Sequence, residues 1–195
     1  MKWFNLIRSG VDVGPLLEEV RKQEQAWLFD TSRQDKIRVQ RDTNTIFIRG
    51  AVRRPDLDIN ENQESRFTEV SKLFPNAVVF MTEVAKEMNS HLSRATIVRL
   101  KPQSHVLRHT DAGSYYFLRD RYHLVLQSST GSLMITGDER VRMREGELWW
   151  FNNKQYHEAH NQSDEWRIHY IFDLLPAAYS HLAVNPLFLT PDRVL

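Results

Sequence analysis

The hydrophobic positions of the first 92 residues recur at intervals of three and four, which is the spacing of one face of a helix. The longest of these stripes, over about residues 76–92, consists of Val78, Met81, Val84 and Met88. Shorter stripes follow Pro15 and cover residues 67–73, while residues 43–49 read as a strand that ends at Gly50. The first part of the chain is therefore predicted to be mainly helical.

From residue 95 onwards the pattern changes to short apolar or alternating segments that are separated by turn residues. Gly137-Asp138 and Glu145-Gly146 are two of these turns. The predicted strands are 95–100, 121–127, 132–136, 140–143, 147–151, 157–161 and 167–173. Helices followed by many short antiparallel strands indicate a mainly β fold, a sandwich or cupin-like jelly roll with N-terminal helices packed on its outside.

The length of the chain favours a single domain, because 195 residues are enough for one hydrophobic core. Within it we predict that residues 1–92 give mainly helical support. Residues 93–176 then form the jelly-roll core with the site, and residues 177–195 a C-terminal extension.

An apolar fraction of 41% and a net charge of +1 are ordinary for a globular protein. Such a charge gives no electrostatic reason to expect nucleic acid or a membrane surface as a partner.

Cysteine is absent from the sequence, which excludes disulfides, thiolate metal ligands and cysteine nucleophiles. No apolar run reaches the roughly 18 residues that a bilayer-spanning helix needs. The segment from Met1 to Arg8 lacks the apolar core of a signal peptide. We therefore expect a cytoplasmic protein whose partner is a small molecule or a peptide.

The candidate chemistry is concentrated in His109-Thr110-Asp111, which His157 follows 48 residues later (157 − 109). Side chains two apart on an extended backbone point the same way, so His109 and Asp111 can bind one ion together. A histidine from a distant strand would complete the ligand set of a facial triad for non-haem Fe(II). Closing a jelly roll would bring the three side chains together at its mouth, so we predict a metal site of His109, Asp111 and His157.

Arg167 lies ten residues after His157 (167 − 157), on the last predicted strand. It shares a strand face with His169, and a buried arginine on that face needs an anionic partner such as a carboxylate. Plain structural interpretations are also open, because H-x-D occurs by chance and a strand histidine or edge arginine often has no function. The agreement of three independent features favours the functional interpretation.

Five stretches between about residues 97 and 176 resemble the aspartyl/asparaginyl β-hydroxylase family of Fe(II)/2-oxoglutarate oxygenases. They are Pro102 to Asp111, Arg121 to Leu124, Gly146 to Asn152, His157 to Ser163 and Arg167 to Asp173. They occur in the order and spacing of that family over about 80 residues. The first 90 residues resemble the family only loosely.

The resemblance implies a double-stranded β-helix that binds Fe(II), 2-oxoglutarate and O₂. It implies that Arg167 binds the distal carboxylate of 2-oxoglutarate, and that Arg121 and His123 lie near the carboxylate at its other end. Members that act on secreted domains carry glycine at the position of Asp111, whereas bacterial members similar to proline cis-4-hydroxylases retain the acid. The expected reaction is hydroxylation of an aliphatic carbon of an amino acid, free or in a peptide or protein, with succinate and CO₂ as co-products.

Each residue that is predicted to contact the substrate also has a structural alternative. Arg119 is predicted to bind a substrate carboxylate, Tyr115 and Tyr116 to close over the substrate, and Trp149 to wall the site. Arg119 could equally serve the co-substrate, and the three aromatic residues could simply pack. Asn161 is either a residue that orients His157 or a turn-capping asparagine, and His160 faces away from the metal ligands.

Two other classes of protein fit the same ligand set. One is a cupin-type metalloprotein that acts as an isomerase or hydrolase, since imidazole and carboxylate bind several metals. The other is a ligand-binding jelly roll without catalysis. Arg167 separates the oxygenase from the isomerase or hydrolase, because a hydrolase has no need for an anchor for a dicarboxylate co-substrate.

Overall fold

The computed structural model describes residues 1–183, whose eleven strands form two antiparallel sheets that face each other. The strands are β1 Phe4–Arg8, β2 Thr43–Ala51, β3 Ser65–Phe67, β4 Ser90–Leu100, β5 Ser104–His109, β6 Asp120–Gln127, β7 Ser132–Thr136, β8 Glu139–Val141, β9 Leu148–Phe151, β10 His157–Asn161 and β11 Arg167–Pro176. The α-helices are α1 Gly14–Lys22, α2 Ser32–Lys36, α3 Pro75–Glu87 and α4 Ser114–Phe117. Short 3₁₀ helices cover Glu24–Leu28, Arg38–Gln40, Glu69–Leu73 and Ala177–Leu182.

The larger sheet has seven strands in the order β1-β9-β6-β11-β4-β2-β3, and the smaller has four in the order β5-β10-β7-β8. Strands that are distant in sequence lie side by side, which is the topology of a jelly roll. The prediction of a mainly β, cupin-like jelly roll with helices on its outside is confirmed.

The period of two along each strand divides the buried residues into two cores. On β6, Leu124 and Leu126 face outward and join α1 and α3 in one core, while Val125 faces inward. The inner core lies between the sheets and includes Met134 and Phe151. His123 lies two residues before Val125, so the same alternation brings its imidazole to the interior.

The helical prediction for residues 76–92 was too long. Helix α3 ends at Glu87, and Asn89 with φ of +45° reverses the chain into β4, which already begins at Ser90. The stripe over residues 67–73 is likewise divided, because Phe67 belongs to β3 and only residues 69–73 form a 3₁₀ helix.

The first 92 residues also contribute β1, β2 and β3 to the large sheet, and of these only β2 was predicted. Strand β1 was not predicted, since it is short and two of its residues, Asn5 and Leu6, are exposed. Strand β5, which carries His109, was also missed. The predicted extension 177–195 begins as a 3₁₀ helix, and its residues 184–195 lie outside the described part of the chain. Among the described residues, no helix is long and apolar enough to cross a membrane.

Candidate metal centre

Two neighbouring strands of the smaller sheet bring the predicted ligands together. Strand β5 ends at His109 and β10 begins at His157, and antiparallel pairing places these two residues opposite each other, with ring centroids 4.3 Å apart. Asp111 follows β5 in a loop that is fixed by a hydrogen bond from its N–H to the carbonyl of Asn153 at 3.0 Å. One ligand atom from each of the three residues lies within 4.8 Å of the others. This arrangement could hold a metal ion.

Both imidazoles are oriented by backbone carbonyls. The Nδ1 atom of His109 lies 2.7 Å from the carbonyl oxygen of Leu107, and that of His157 lies 2.9 Å from the carbonyl oxygen of Gln155. A carbonyl can only accept, so each Nδ1 carries the proton and each Nε2 presents a lone pair. Burial lowers the pKa of His157 to about 4 even though Asp111 opposes this. His157 is therefore neutral near pH 7, the state in which imidazole binds a metal.

The carboxylate of Asp111 is held through one of its oxygens. Arg121 donates to Oδ2 at 2.7 Å and Asn153 donates to the same atom at 2.9 Å. Burial would raise the pKa of Asp111, but Arg121, together with His157 and Asn153, outweighs it and the pKa is lowered. Asp111 is thus an oriented, ionised carboxylate whose Oδ1 takes no part in these contacts.

Arg121 bridges two carboxylates. Its Nε and Nη2 donate to Asp173 at 2.8 and 2.9 Å, and its Nη1 donates to Asp111. Burial opposes the charge, yet Asp111 and Asp173 raise the pKa of Arg121 well above its ordinary value. The predicted contact of Arg121 with the co-substrate stays a prediction, and the described contacts give Arg121 the separate role of positioning Asp111.

The interior beyond the metal ligands is lined by buried polar groups. The Nδ1 atoms of His123 and His169 lie 3.2 Å apart, and burial, reinforced by the charge of Arg167, holds the pKa of both well below the ordinary value. The ring of Phe151 lies between His123 and His157, edge-on to both at 4.9 and 5.2 Å. His123 therefore connects the metal ligands to the strand that carries Arg167.

Arg167 is 7% exposed, and its Nη2 is a buried donor without a hydrogen-bond partner among residues 1–183. Burial lowers its pKa to about 10. Within the same part of the chain, His169 Nε2 and Thr136 Oγ1 are also buried without a partner. Buried polar atoms are rarely left unpaired, so this interior matches a small anionic molecule with acceptor oxygens.

Two of the predicted substrate residues are occupied by the chain itself. The hydroxyl of Tyr115 donates to Asp173 at 3.2 Å and accepts the N–H of Arg94 at 2.8 Å, and its ring is fully buried. Arg119 donates to Ser93 Oγ and to the carbonyl of Tyr115 at 3.0 and 2.9 Å. Their predicted contact with substrate gains no support from these positions.

The other two candidates differ from each other. Trp149 is 6% exposed, donates to Glu147 at 2.8 Å and packs edge-on against Phe4 in the inner core, as the packing alternative predicted. Tyr116 is only half-buried, and its ring centroid lies 5.1 Å from the guanidinium carbon of Arg121. Tyr116 therefore borders the metal site.

Two residues near His157 follow the structural alternatives. Asn161 donates to the carbonyls of Leu100, Lys101 and Glu165, so it organises a turn and does not orient His157. His160 stacks on His105 with centroids 5.8 Å apart, away from the three ligands as predicted.

Sequence reasoning missed Asn153 and Asp173, and also Arg33, which interacts electrostatically with Asp111, Asp173 and Tyr116. Asp173 carries a usable signal, because it continues the period-two face of Arg167 and His169 along β11. Asn153 lies in the turn between β9 and β10, and Arg33 in a polar stretch without periodicity, so neither position stands out in the sequence.

An antiparallel jelly roll whose interior gathers two histidines and an aspartate defines a cupin-like protein with a metal-ligand set. Within that class, a family model for aspartyl/asparaginyl β-hydroxylase matches residues 58–176, which is more than half of the chain. The chain therefore belongs to the aspartyl/asparaginyl β-hydroxylase family, as its motifs predicted.

Solved structures share this fold at low sequence identity. AviO1 from Streptomyces viridochromogenes Tue57 has a TM-score of 0.53 at 11% identity, over 90% of both chains. A 2OG-Fe(II) oxygenase family protein from Burkholderia pseudomallei has a TM-score of 0.49 at 14% identity, over 87% of this chain and 93% of its own. No curated protein matches the sequence.

Proposed function

We propose that this protein is an Fe(II)- and 2-oxoglutarate-dependent dioxygenase that hydroxylates an aliphatic carbon of an amino acid, free or within a peptide or protein. Family membership supports the reaction class, and His109, Asp111 and His157 would hold the iron. Two imidazoles and one carboxylate are a donor set that suits Fe(II).

The observation that carries the proposal is the buried Nη2 of Arg167, which has no hydrogen-bond partner among residues 1–183, inside the same barrel as the three ligands. A planar fork of N–H donors fits a carboxylate in a bidentate pair. 2-Oxoglutarate is a dicarboxylate, so Arg167 would bind one of its carboxylates and the other end would face His109, Asp111 and His157. The buried residues His123 and His169 would line the same interior.

Bound together, iron, 2-oxoglutarate and O₂ supply oxidative decarboxylation to succinate and CO₂ and the hydroxylation of an unactivated C–H bond. The chain supplies the geometry. Arg121 and Asn153 both donate to Oδ2 of Asp111. These two contacts fix the orientation of the carboxylate and so the direction of Oδ1. The neutral imidazoles of His123 and His169 offer hydrogen bonds without adding charge, and Phe151 excludes water beside His157.

An amino-acid substrate is supported by the retained acid at position 111, which this chain shares with the family members that hydroxylate free amino acids. The alternatives remain a cupin-type isomerase or hydrolase and a ligand-binding jelly roll. A hydrolase has no need for the buried Nη2 of Arg167, which has no hydrogen-bond partner among residues 1–183, and the spectroscopic experiment below distinguishes the binding protein.

The experiment is visible spectroscopy of the anaerobic Fe(II) protein with and without 2-oxoglutarate. We expect a metal-to-ligand charge-transfer band that needs 2-oxoglutarate and is absent from His157→Ala, followed by succinate formation on exposure to O₂. A protein that binds iron but gives neither the band nor succinate would support the isomerase, hydrolase or binding alternatives instead.

A further inference from the structure

Arg33 lies outside the part of the chain that matches the family, yet it belongs to the surroundings of the metal site. It is on helix α2, which packs against β2, and the next 3₁₀ helix, Arg38–Gln40, packs against β5, the strand that carries His109. Its side chain is half-buried. The segment 32–40 thus covers the side of the barrel where the metal ligands lie.

The guanidinium of Arg33 interacts electrostatically with Asp111, Arg121, Asp173 and Tyr116. These interactions, together with the packing of the segment against β5, place the guanidinium near the metal site. Burial lowers the pKa of Arg33, and it is the largest influence on that pKa. The arginine is therefore partly removed from water at the edge of the metal site.

No hydrogen bond or ion pair of the Arg33 side chain occurs within residues 1–183, whereas the neighbouring cations are all in use. Arg121 is shared between Asp111 and Asp173, Arg119 is held by Ser93 and Tyr115, and Lys154 donates to the carbonyl of Arg119. Among these cations, Arg33 alone is left without a partner in the described part of the chain.

Arg33 and Arg167 differ in depth. The side chains of Arg121 and Asp111, with which Arg33 interacts electrostatically, keep 14% and 11% of their surface exposed, while His169, next to Arg167, is fully buried. The interior is thus closed around Arg167 and keeps some exposure at the residues with which Arg33 interacts. A co-substrate held deep by Arg167 leaves the Arg33 side for the molecule that is hydroxylated.

We propose that Arg33 binds the carboxylate of the amino-acid substrate and so places the target carbon beside the metal. The proposal rests on the proposed function and refines its substrate class to molecules with a free carboxylate. The planar fork of Arg33 suits a bidentate carboxylate, which fixes orientation as well as position. Tyr116, whose ring lies against Arg121 and which interacts electrostatically with Arg33, would contact the same substrate.

The test compares the wild type with Arg33→Ala and Arg33→Lys, using a panel of free amino acids and short peptides together with their carboxamides. Succinate formation is measured at saturating 2-oxoglutarate. We expect acids, but not amides, to stimulate the wild type. Arg33→Ala should raise the KM for the stimulating acid about tenfold or more and lose the preference for acid over amide. Arg33→Lys should fall between the two, because it keeps the charge but not the fork.

Arg38→Ala is the matched control, since Arg38 is an exposed arginine of the same segment and should keep the wild-type KM. An unchanged acid preference in Arg33→Ala would overturn the proposal, and so would an equal rise in its KM for 2-oxoglutarate. A melting temperature for Arg33→Ala clearly below that of Arg38→Ala would also overturn it, by assigning Arg33 a structural role.

Failure of the two proposals can be told apart. A wild type that forms succinate but that no panel acid stimulates rules out the role of Arg33 and leaves the oxygenase intact. A wild type with neither the charge-transfer band nor succinate rules out the proposed function itself.

Discussion

The arginines around the metal site differ in what neutralises them, and this difference predicts their roles. Arg121 lies between two carboxylates, so its charge is compensated before any ligand binds. Arg119 is held by a hydroxyl and a carbonyl, which places it in the framework. Arg167 is buried, and burial alone shifts its pKa. Its Nη2 has no hydrogen-bond partner among the described residues. A cation in that state is costly unless an anion arrives.

Replacing Arg167 by Ala should therefore weaken 2-oxoglutarate binding by about a hundredfold or more, because breaking one side of a buried charged pair costs about 3–5 kcal/mol. Arg167→Lys should weaken it less. The measurement is the change of the charge-transfer band as the anaerobic Fe(II) protein is titrated with 2-oxoglutarate. Arg140→Ala, at an exposed position on β8, is the control. An Arg167→Ala protein with wild-type affinity would exclude this anchor.

Among single residues, the sequence predicted those that lie two apart on an extended backbone and therefore point the same way. His109 and Asp111 are two apart, and Arg167 and His169 share a strand face, so their grouping follows from the period of two. The partners of Arg121 and Asp111 were not predictable, because Asp173 and Asn153 meet them through strand register and a turn. The substrate roles of Arg119 and Tyr115 could not be judged without the contacts of Ser93 and Arg94.

Among the elements, the loop between β5 and α4 decides where Asp111 lies. Gly113 in this loop has φ of 109° and ψ of 161°, a conformation that is nearly restricted to glycine. A Cβ at this position would overlap the backbone carbonyl of Asn60, and that carbonyl accepts the N–H of Tyr115 at 3.1 Å. The long polar loop over residues 55–62 and the metal-site loop are thus packed against each other.

Gly113→Ala should destabilise the protein by more than Gly10→Ala. Gly10 also has a positive φ, of 71°, but a Cβ there has no atom within 4 Å. Alanine is strained at both positions, but the backbone of Gly113 is nearly restricted to glycine, so the difference, about 1–3 kcal/mol, reports this extra backbone strain together with the overlap with Asn60. Urea unfolding of the metal-free proteins measures it. Equal free energies of unfolding for the two variants would contradict both contributions.

Elements with a strong internal period were predictable, and those defined by their neighbours were not. Strands β7 and β10 were predicted with the residues that the structure gives them, because alternation and flanking turns mark both ends. Helix α3 was extended too far, since Leu92 has the right spacing for a helix but pairs with Leu174 in β4. Edge strand β1 exists because β9 offers it a pairing edge.

In the whole molecule, three buried imidazoles make stability depend on pH. Burial lowers the pKa of His123 and His169 well below the ordinary value and that of His157 to about 4. Below about pH 6.5 the unfolded chain binds protons at these sites and the folded protein does not, so stability is lost as the pH falls. The pKa of Asp111 is lowered in the folded protein, so its contribution to stability is constant above about pH 4 and does not offset this loss.

The free energy of unfolding of the metal-free protein should therefore decrease from pH 7.5 to pH 5. Each buried imidazole contributes a slope of up to about 1.4 kcal/mol per pH unit once the pH is well below 6.5. His169→Gln should reduce this slope, and His181→Gln, at an exposed position, should leave it unchanged. The measurement is urea unfolding at several pH values. A slope that is the same in His169→Gln and the wild type would contradict a neutral, buried His169.

The pairing of β1 with β9 has a consequence for biosynthesis. Phe4 lies opposite Phe151, so the ribosome must add 147 residues (151 − 4) before the first strand meets its neighbour. At about 5–20 residues per second this takes roughly 7–30 s. Throughout that interval Phe4, which ends in the inner core, has no pairing partner. Nascent chains halted before β9 should therefore expose β1 to proteases, and sealing of this edge of the large sheet is a late event of translation.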